Sequence, residues 1–400
     1  MKSLLVGLIL LLTVMHMNAL AQSTWTARTS GTTNSLKSVT WTGSQLVAVG
    51  DSGAILTSQD GVLWTLRNSG TRTNLKSVIW KNNQLVAVGN GGVIQTSPDG
   101  VTWTSRNSGI TNWLYSITSS ATQLMAVGDG GCVLTSPDGV TWTTRNSGTT
   151  SPLSSVIWAD NQFITVGRFG APTEPIILTS LDGINWTNRY NLSNQLWSIT
   201  WTGNRFVAVG NPGPSGGLVL TSSDAISWSQ KNFINPDFLY SIIWTGTQLV
   251  AVGGSVMDIA NILTSPDGIT WTNRKAGGSR SPTLYSITWT GTQLVTVGSG
   301  GAIFTSPQDP TPILQLLNLQ SKISIRLASL QIFASFPIPF PGSNMRAAIY
   351  TTDGNKVSEV LTKGSANGIV IPVNNLARGV YLFELQSKNS RITQFFSLSR

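Results

Sequence analysis

Histidine is nearly missing. Of 400 residues only His16 is one, and it sits in an apolar N-terminal stretch. With that stretch removed, as argued below, the working protein has no histidine. This excludes His-ligated metals, Ser-His-Asp and Cys-His nucleophiles, and imidazole proton shuttles. Cysteine is reduced to Cys132, so there is neither a disulfide framework nor a cysteine zinc site. Glutamate occurs only as Glu174, Glu359 and Glu384, and charged residues make up 10% of the chain. Against these absences stand 15 Trp and 40 Gly. A Trp- and Gly-rich, weakly charged chain has the profile of a β-rich binding or structural protein more than of an enzyme. No cofactor and no metal are expected.

The first residues read as an export signal. Met1-Lys2 is a short positive start, Leu4 to Val14 is apolar apart from Thr13, and Ala19-Leu20-Ala21 offers the small residues of a cleavage site. An apolar run of about a dozen residues is too short to span a bilayer, which favours a signal peptide over residues 1–21. No long apolar run follows, so no transmembrane segment is expected in the mature chain. Export with one free cysteine fits a bacterial envelope or secreted protein that does without disulfides.

The middle of the chain is one unit repeated seven times. Each copy opens Leu-x-Ser-(Val/Ile), with the leucine at Leu36, Leu75, Leu114, Leu153, Leu196, Leu239 and Leu284, in steps of 39, 39, 39, 43, 43 and 45 residues. The second copy shows four strand-like runs, Leu75–Trp80, Gln84–Gly89, Val93–Ser97 and Thr102–Arg106, each bounded by turn residues. Four strands in a repeat of roughly 40 residues is the signature of a propeller blade. The seventh copy stops at Ser306-Pro307 without a fourth strand, and Thr24-Trp25-Thr26-Ala27-Arg28 supplies one ahead of the first leucine. The expected fold is all-β: a seven-bladed β-propeller over residues 22–309, its last blade completed by the N-terminal strand.

A turn recurs between the third and fourth strands, as in Ser97-Pro98-Asp99-Gly100-Val101-Thr102-Trp103. Its aspartates are Asp60, Asp99, Asp138, Asp182, Asp224 and Asp267, each with a Trp four residues on. A carboxylate there can accept hydrogen bonds from the N–H groups just ahead and pin the turn. Glycine follows in every case but one, where Ala225 stands. At these residues the chain resembles the Asp-box, or BNR-repeat, propellers, a broad group that includes bacterial sialidases and photosystem II assembly-factor-like propellers. It departs from them in placing Asp and Gly side by side. The resemblance implies that the six aspartates are structural. It covers the propeller and specifies no activity.

A sialidase-like hydrolase on this scaffold is the alternative. It would need a cluster of three arginines, a Tyr–Glu pair and an acid. The recurrent Arg28, Arg67, Arg106, Arg145, Arg189 and Arg274 instead follow the blade Trp by three, on the outer strand. Glycosidases usually set two carboxyl groups across one bond. Glu174, the only propeller glutamate, with Asp258 or Asp237 is the one pair on offer.

Loop lengths point to one face. The link between strands one and two and the Asp-box link are nearly constant. The second-to-third link grows from Asp51-Ser52-Gly53 in the first blade to Arg168–Pro175, Asn211–Gly217 and Gly253–Ala260 in blades four to six. Binding tends to sit on variable loops held by a rigid scaffold. The residue after each unit leucine also varies, as Lys37, Lys76, Tyr115, Ser154, Trp197, Tyr240 and Tyr285, and is expected to ring the channel mouth on that face. The candidate ligand site is Trp113, Tyr115, Arg168, Phe169, Glu174, Trp197, Phe238, Tyr240, Met257, Asp258, Arg280 and Tyr285. Tyr and Trp there suit a sugar ring or a peptide. The competing structural role is to plug the channel.

After Asp309-Pro310-Thr311-Pro312 the composition changes. No Trp follows Trp289, and residues 313–400 hold nine Lys/Arg against three Asp/Glu. Most of the net charge of +9 therefore lies in the tail. Nucleic acid is not an expected partner, since the chain lacks a basic aromatic groove. Residues 310–335 read as linker and start of tail, and 336–400 as a small Ig-like β-sandwich of short strands. Phe336-Pro337-Ile338-Pro339-Phe340, Ile349 through Val357 with its Asp353-Gly354-Asn355 turn, and Ala377-Arg378-Gly379-Val380-Tyr381 resemble the type A C-terminal sorting domain of the type IX secretion system. That resemblance implies passage across the outer membrane by the type IX machinery, and a place outside the cell or on its surface. The expected protein is a monomeric, exported, non-catalytic propeller that binds a glycan or a protein.

Overall fold

The second strand of every blade is buried on both sides: Leu46–Gly50, Leu-Val-Ala-Val-Gly, is buried at all five positions, and the fourth and seventh blades place a buried threonine, Thr165 and Thr296, in theirs. A strand buried on both faces must lie between two others in its sheet and between two sheets in space. A computed structural model shows this arrangement. It describes residues 25–167, 176–191, 195–213, 216–233, 238–254, 260–274, 282–306, 324–328, 331–335, 344–351, 355–363, 368–372, 379–387 and 390–398. Residues 1–21, read from the sequence as an export signal, lie outside these.

The repeats form seven four-stranded antiparallel sheets. Innermost strands of successive sheets are neighbours all the way round, and that of the seventh (Leu284–Trp289) lies against that of the first (Leu36–Trp41). The closing sheet takes its outer strand from the N-terminus. Thr26–Arg28 pairs antiparallel with Ile303–Thr305, and Arg28 Nε donates to Thr305 Oγ1 at 2.9 Å. Arg67 makes the same bond to Thr57 and Arg106 to Thr96, so the closing strand copies the covalently continuous ones. Closure covers the outer edge of Ile303–Thr305 and leaves the seventh blade edged like the other six.

The Leu-x-Ser-(Val/Ile) signature has a structural cause. In every blade the ladder shifts register between the leucine and the serine: Leu36 faces Gly50, and Ser38 faces Val49. The residue between them is the extra residue of a β-bulge. A bulge restarts the two-residue alternation, so Leu36 and Val39, three apart, are both buried. It also frees the next amide, which the neighbouring blade takes. Val78 N–H donates to Ser38 Oγ at 3.2 Å, Val156 N–H to Ser116 Oγ at 3.1 Å, and Val39 N–H to Ser286 Oγ at 3.2 Å across the closing seam.

The core is divided between blades. One cluster joins Val47, Val49 and Ile55 of the first blade to Leu75, Val78, Leu85 and Ala87 of the second. Another joins Val295, Val297 and Ile303 of the seventh to Leu36, Val39 and Leu56 of the first. Each of these Val, Leu and Ile side chains contributes about 1.5–3 kcal/mol by leaving water, so the ring is held mainly face to face. Three strand boundaries of the second blade differ from the sequence expectation. Its first strand runs Leu75–Lys81, its third starts at Ile94 rather than Val93, and its outer strand starts at Thr104, because Val101 to Trp103 still lead out of the turn. In the fifth blade part of the long second-to-third link is itself strand, Phe206–Gly213 and Gly216–Ser222.

Residues 309–400 form a second unit. Its strands make a three-stranded sheet (Ser324–Ala328, Gln331–Ser335, Gly368–Pro372) and a four-stranded one (Asn344–Thr351, Lys356–Lys363, Gly379–Ser387, Ser390–Leu398). The first hairpin lies inside the stretch read from the sequence as linker and start of tail. Ala347, Ala348 and Ile349 are buried, and Arg346 and Lys356 both pair with Glu359. The Phe336–Phe340 landmark lies outside the described residues. Among the described residues no helix is long and apolar enough to cross a membrane.

Candidate functional site

The bulge decides which side chains meet at the channel mouth. It leaves Lys37, Lys76, Tyr115, Ser154, Trp197, Tyr240 and Tyr285 as the extra residues of their strands. A bulge re-aims the side chain it carries. It needs room behind it, and the strand-two glycine supplies that room. A Cβ at Gly50 would sit 2.2 Å from the Ser35 carbonyl oxygen, and one at Gly210 would sit 1.8 Å from that of Gln195.

From the fifth blade to the seventh these side chains form one aromatic series. Trp197 meets Tyr240 edge-on with centroids 5.6 Å apart, and Tyr240 meets Tyr285 in the same way at 5.6 Å. Phe238 lies parallel to Tyr240 at 6.1 Å. Trp197 Nε1 donates to Asn211 Oδ1, and Asn211 Nδ2 donates to Gln195 Oε1 at 2.8 Å, which fixes the indole. Burial pushes the Tyr240 hydroxyl pKa up, with Tyr285 adding to it, so Tyr240 stays neutral at ordinary pH.

The series continues into charge. Lys37 Nζ stands 3.8 Å over the Tyr285 ring and 3.5 Å from Asp51 Oδ2. Lys76 Nζ, from the second blade, is 3.8 Å from Asp51 Oδ1. Burial pushes the Lys37 ammonium pKa down, and Asp51 opposes the shift. The mouth thus carries an aromatic wall on blades five to seven and a Lys–Asp–Lys bridge on blades one and two.

Of the twelve candidate residues, the structure brings Trp197, Phe238, Tyr240 and Tyr285 together. Trp113 and Tyr115 pair with each other edge-on, centroids 6.5 Å apart, on the third blade, and Trp113 is 47% exposed. Arg168, Phe169, Glu174, Met257, Asp258 and Arg280 lie outside the described residues. So does Asp237. Asp51 and Asn211 were not foreseen. The signal was there: the position just after the strand-two glycine also varies, as Asp51, Asn90, Asp129, Asn211 and Ser299.

The opposite face is occupied by structure. Asp99 Oδ1 accepts N–H bonds from Val101 and Thr102, both at 2.8 Å, and the Ser97 hydroxyl at 3.0 Å. Ser97 Oγ in turn accepts the Gly100 N–H at 2.8 Å, and Trp103 Nε1 donates to the Gly100 carbonyl at 3.0 Å. Asp60, Asp138, Asp182, Asp224 and Asp267 repeat the two backbone bonds. These amides hold all six carboxyl pKa values below the usual range, that of Asp224 at about 2. A carboxylate so held is a poor proton donor at neutral pH. The serine two residues before each aspartate is part of the motif. Gln45 Nε2 adds a bond from the first blade to the Asp99 carbonyl of the second, 2.8 Å. Ala225 holds the glycine conformation at φ 60°, with its methyl buried among Phe206 and Trp228. Strain of about 1–2 kcal/mol is offset there by about 0.8 kcal/mol of methyl burial.

Among the described residues no group of three or more His, Cys, Asp or Glu is placed to hold a metal ion. Cys132 is half-buried, and burial pushes its thiol pKa to about 11, so it is not a nucleophile at neutral pH.

The first part of the chain is a β-propeller by likeness to solved structures. YCF48 bound to D1 peptide matches with a TM-score of 0.58 at 17% identity, over 72% of this chain and 98% of that one. A catalytically inactive virginiamycin B lyase from Staphylococcus aureus, with quinupristin, matches with a TM-score of 0.59 at 10% identity, over 70% and 98%. These identities establish fold alone. No curated protein matches the chain. The rest is more specific: residues 313–398 match the family described as secretion system C-terminal sorting domain. The chain is a secreted propeller whose sorting domain directs it through type IX secretion to the outer-membrane surface or beyond.

Proposed function

We propose that this propeller is a non-catalytic binding protein that takes a glycan or a protein ligand at its channel mouth, outside the cell. One observation carries the reading: bulges on three successive blades gather Trp197, Tyr240 and Tyr285 into one wall beside Lys37 and Asp51. Amphipathic rings next to a few polar groups are the common makeup of recognition surfaces. The repeated geometry of the other face supports the same choice, because its six carboxylates are engaged in turns. The organisation that goes with it is a signal peptide over 1–21, a monomeric working propeller over 22–309 and a delivery tail after it.

The test is a double variant, Trp197→Ala with Tyr240→Ala, in the full-length protein. It should abolish retention of surface glycans and proteins that the wild type holds, with thermal unfolding little changed. Unaltered retention would remove the mouth as the site. Bond cleavage during incubation with polysaccharide would replace the binder with a hydrolase.

A further inference from the structure

We propose that the ligand of this mouth is an anionic saccharide, a sugar bearing a carboxylate or sulfate that bridges Lys37 and Lys76 while its ring lies along the Trp197–Tyr240–Tyr285 wall. The inference rests on the binding reading above and narrows it.

The first argument is the state of the two lysines. They come from different blades and share one carboxylate, at 3.5 Å and 3.8 Å. Both contacts are longer than a charge-assisted hydrogen bond of about 2.7–2.9 Å. Asp51 Oδ1 is buried with no hydrogen-bond partner, so Lys76 is near it without bonding to it. Two partly buried ammonium groups therefore share one carboxylate, so positive charge is in excess there, while the buried Asp51 Oδ1 is left as an acceptor open to a donor such as a sugar hydroxyl. A second anion placed between them would meet donors already gathered and already partly stripped of water. Burial that pushes the Lys37 pKa down is the cost such an anion would relieve.

The second argument separates sugar from peptide. An extended peptide binds a sheet edge through unpaired backbone amides. On four of the seven innermost strands the amide that follows the bulge serine is engaged by the neighbouring blade. Val39 donates to Ser286, Val78 to Ser38, Val156 to Ser116 and Ile242 to Ser198. Among the described residues the mouth offers rings and two ammonium groups around the Asp51 carboxylate, which suit a chain of flat-faced, charged sugars.

The experiment is calorimetric titration of the full-length protein with four probes: oligogalacturonate, a sulfated oligosaccharide, a neutral cello-oligosaccharide and a glutamate-rich peptide. At least one anionic saccharide should bind, more weakly as salt rises, and the peptide and neutral sugar should bind at least roughly tenfold more weakly. Lys37→Met with Lys76→Met should lose that binding roughly tenfold or more, and Lys→Arg at both sites should restore part of it. Unfolding curves of each variant show whether the fold is intact. Carboxylate and sulfate probes identify which anion is preferred. No binding by either, equal binding of the neutral sugar, tighter binding of the peptide, or indifference to the lysine variants would each overturn the inference. Neutral-sugar or peptide binding that is lost with Trp197 and Tyr240 but not with the lysines would overturn it while leaving the binding reading standing.

Discussion

Two glycines two residues apart in the second blade should resist alanine to different degrees and for different reasons. Gly89 has extended backbone, φ −169°, that any residue adopts. Yet a Cβ on it would lie 2.0 Å from the Asn74 carbonyl oxygen. That oxygen also accepts the Asn90 N–H at 2.9 Å, the bond that ties the second-to-third link to the start of the bulged strand. Gly89→Ala must push the two strands apart at the bulge. Overpacking costs about 1–3 kcal/mol and the broken bond about 1 kcal/mol more, so the expected loss is about 2–4 kcal/mol. Gly91 has φ 62° but nothing within 4 Å of its added Cβ, and the first blade carries Ser52 there at φ 55°. Gly91→Ala should cost only the left-handed backbone strain, about 1–2 kcal/mol. Urea unfolding of both variants makes the comparison. If Gly89→Ala lies within about 0.5 kcal/mol of wild type, the claim that glycine makes room for the bulge is refuted.

Acid should weaken the Asp-box face. The six carboxyl groups have folded pKa values depressed by backbone N–H bonds, so their contribution is complete above the unfolded value of about 3.9. It is lost as pH falls through the folded values, about 2 for Asp224. The melting temperature should fall over that window, and Asp99→Ala should flatten the fall slightly; a curve unchanged in slope would contradict the assignment. Deleting residues 22–28 removes the closing strand and Trp25, which packs against the sixth and seventh blades. The bared Ile303–Thr305 edge should then recruit another copy, visible as dimers or larger species by light scattering. A monomer melting at the wild-type temperature would mean that the strand is dispensable.

The fold was legible because each blade repeats it. Seven leucines and one displaced outer strand gave the ring and its closure, and the Asp-box turns gave strand order. The bulge was not legible as a bulge. Leu36 and Val39 three apart look like a local irregularity until the partner strand shows Leu36 against Gly50 and Ser38 against Val49. The mouth was half legible. Variation after the leucine marked Trp197, Tyr240 and Tyr285, because only those positions escape the packing that fixes their neighbours. Asp51 escaped notice because its role depends on lysines from two blades, Lys37 and Lys76, 14 and 25 positions away. The serine of each Asp-box is not legible as part of the motif from sequence alone, because its bonds, to the aspartate and in five boxes to a glycine amide, lie wholly within the turn.

The clasp at the seventh blade sets an order in time. Arg28 and Thr305, which meet there, are 277 positions apart, whereas every other blade pairs strands made one after another. Contacts so distant in sequence form late. Six blades can assemble as the chain emerges, while the first strand waits for almost the whole propeller to exist. Until then the seventh blade lacks its outer strand and the ring is open. A secreted chain built this way reaches its locked form only when all of it has arrived in one compartment.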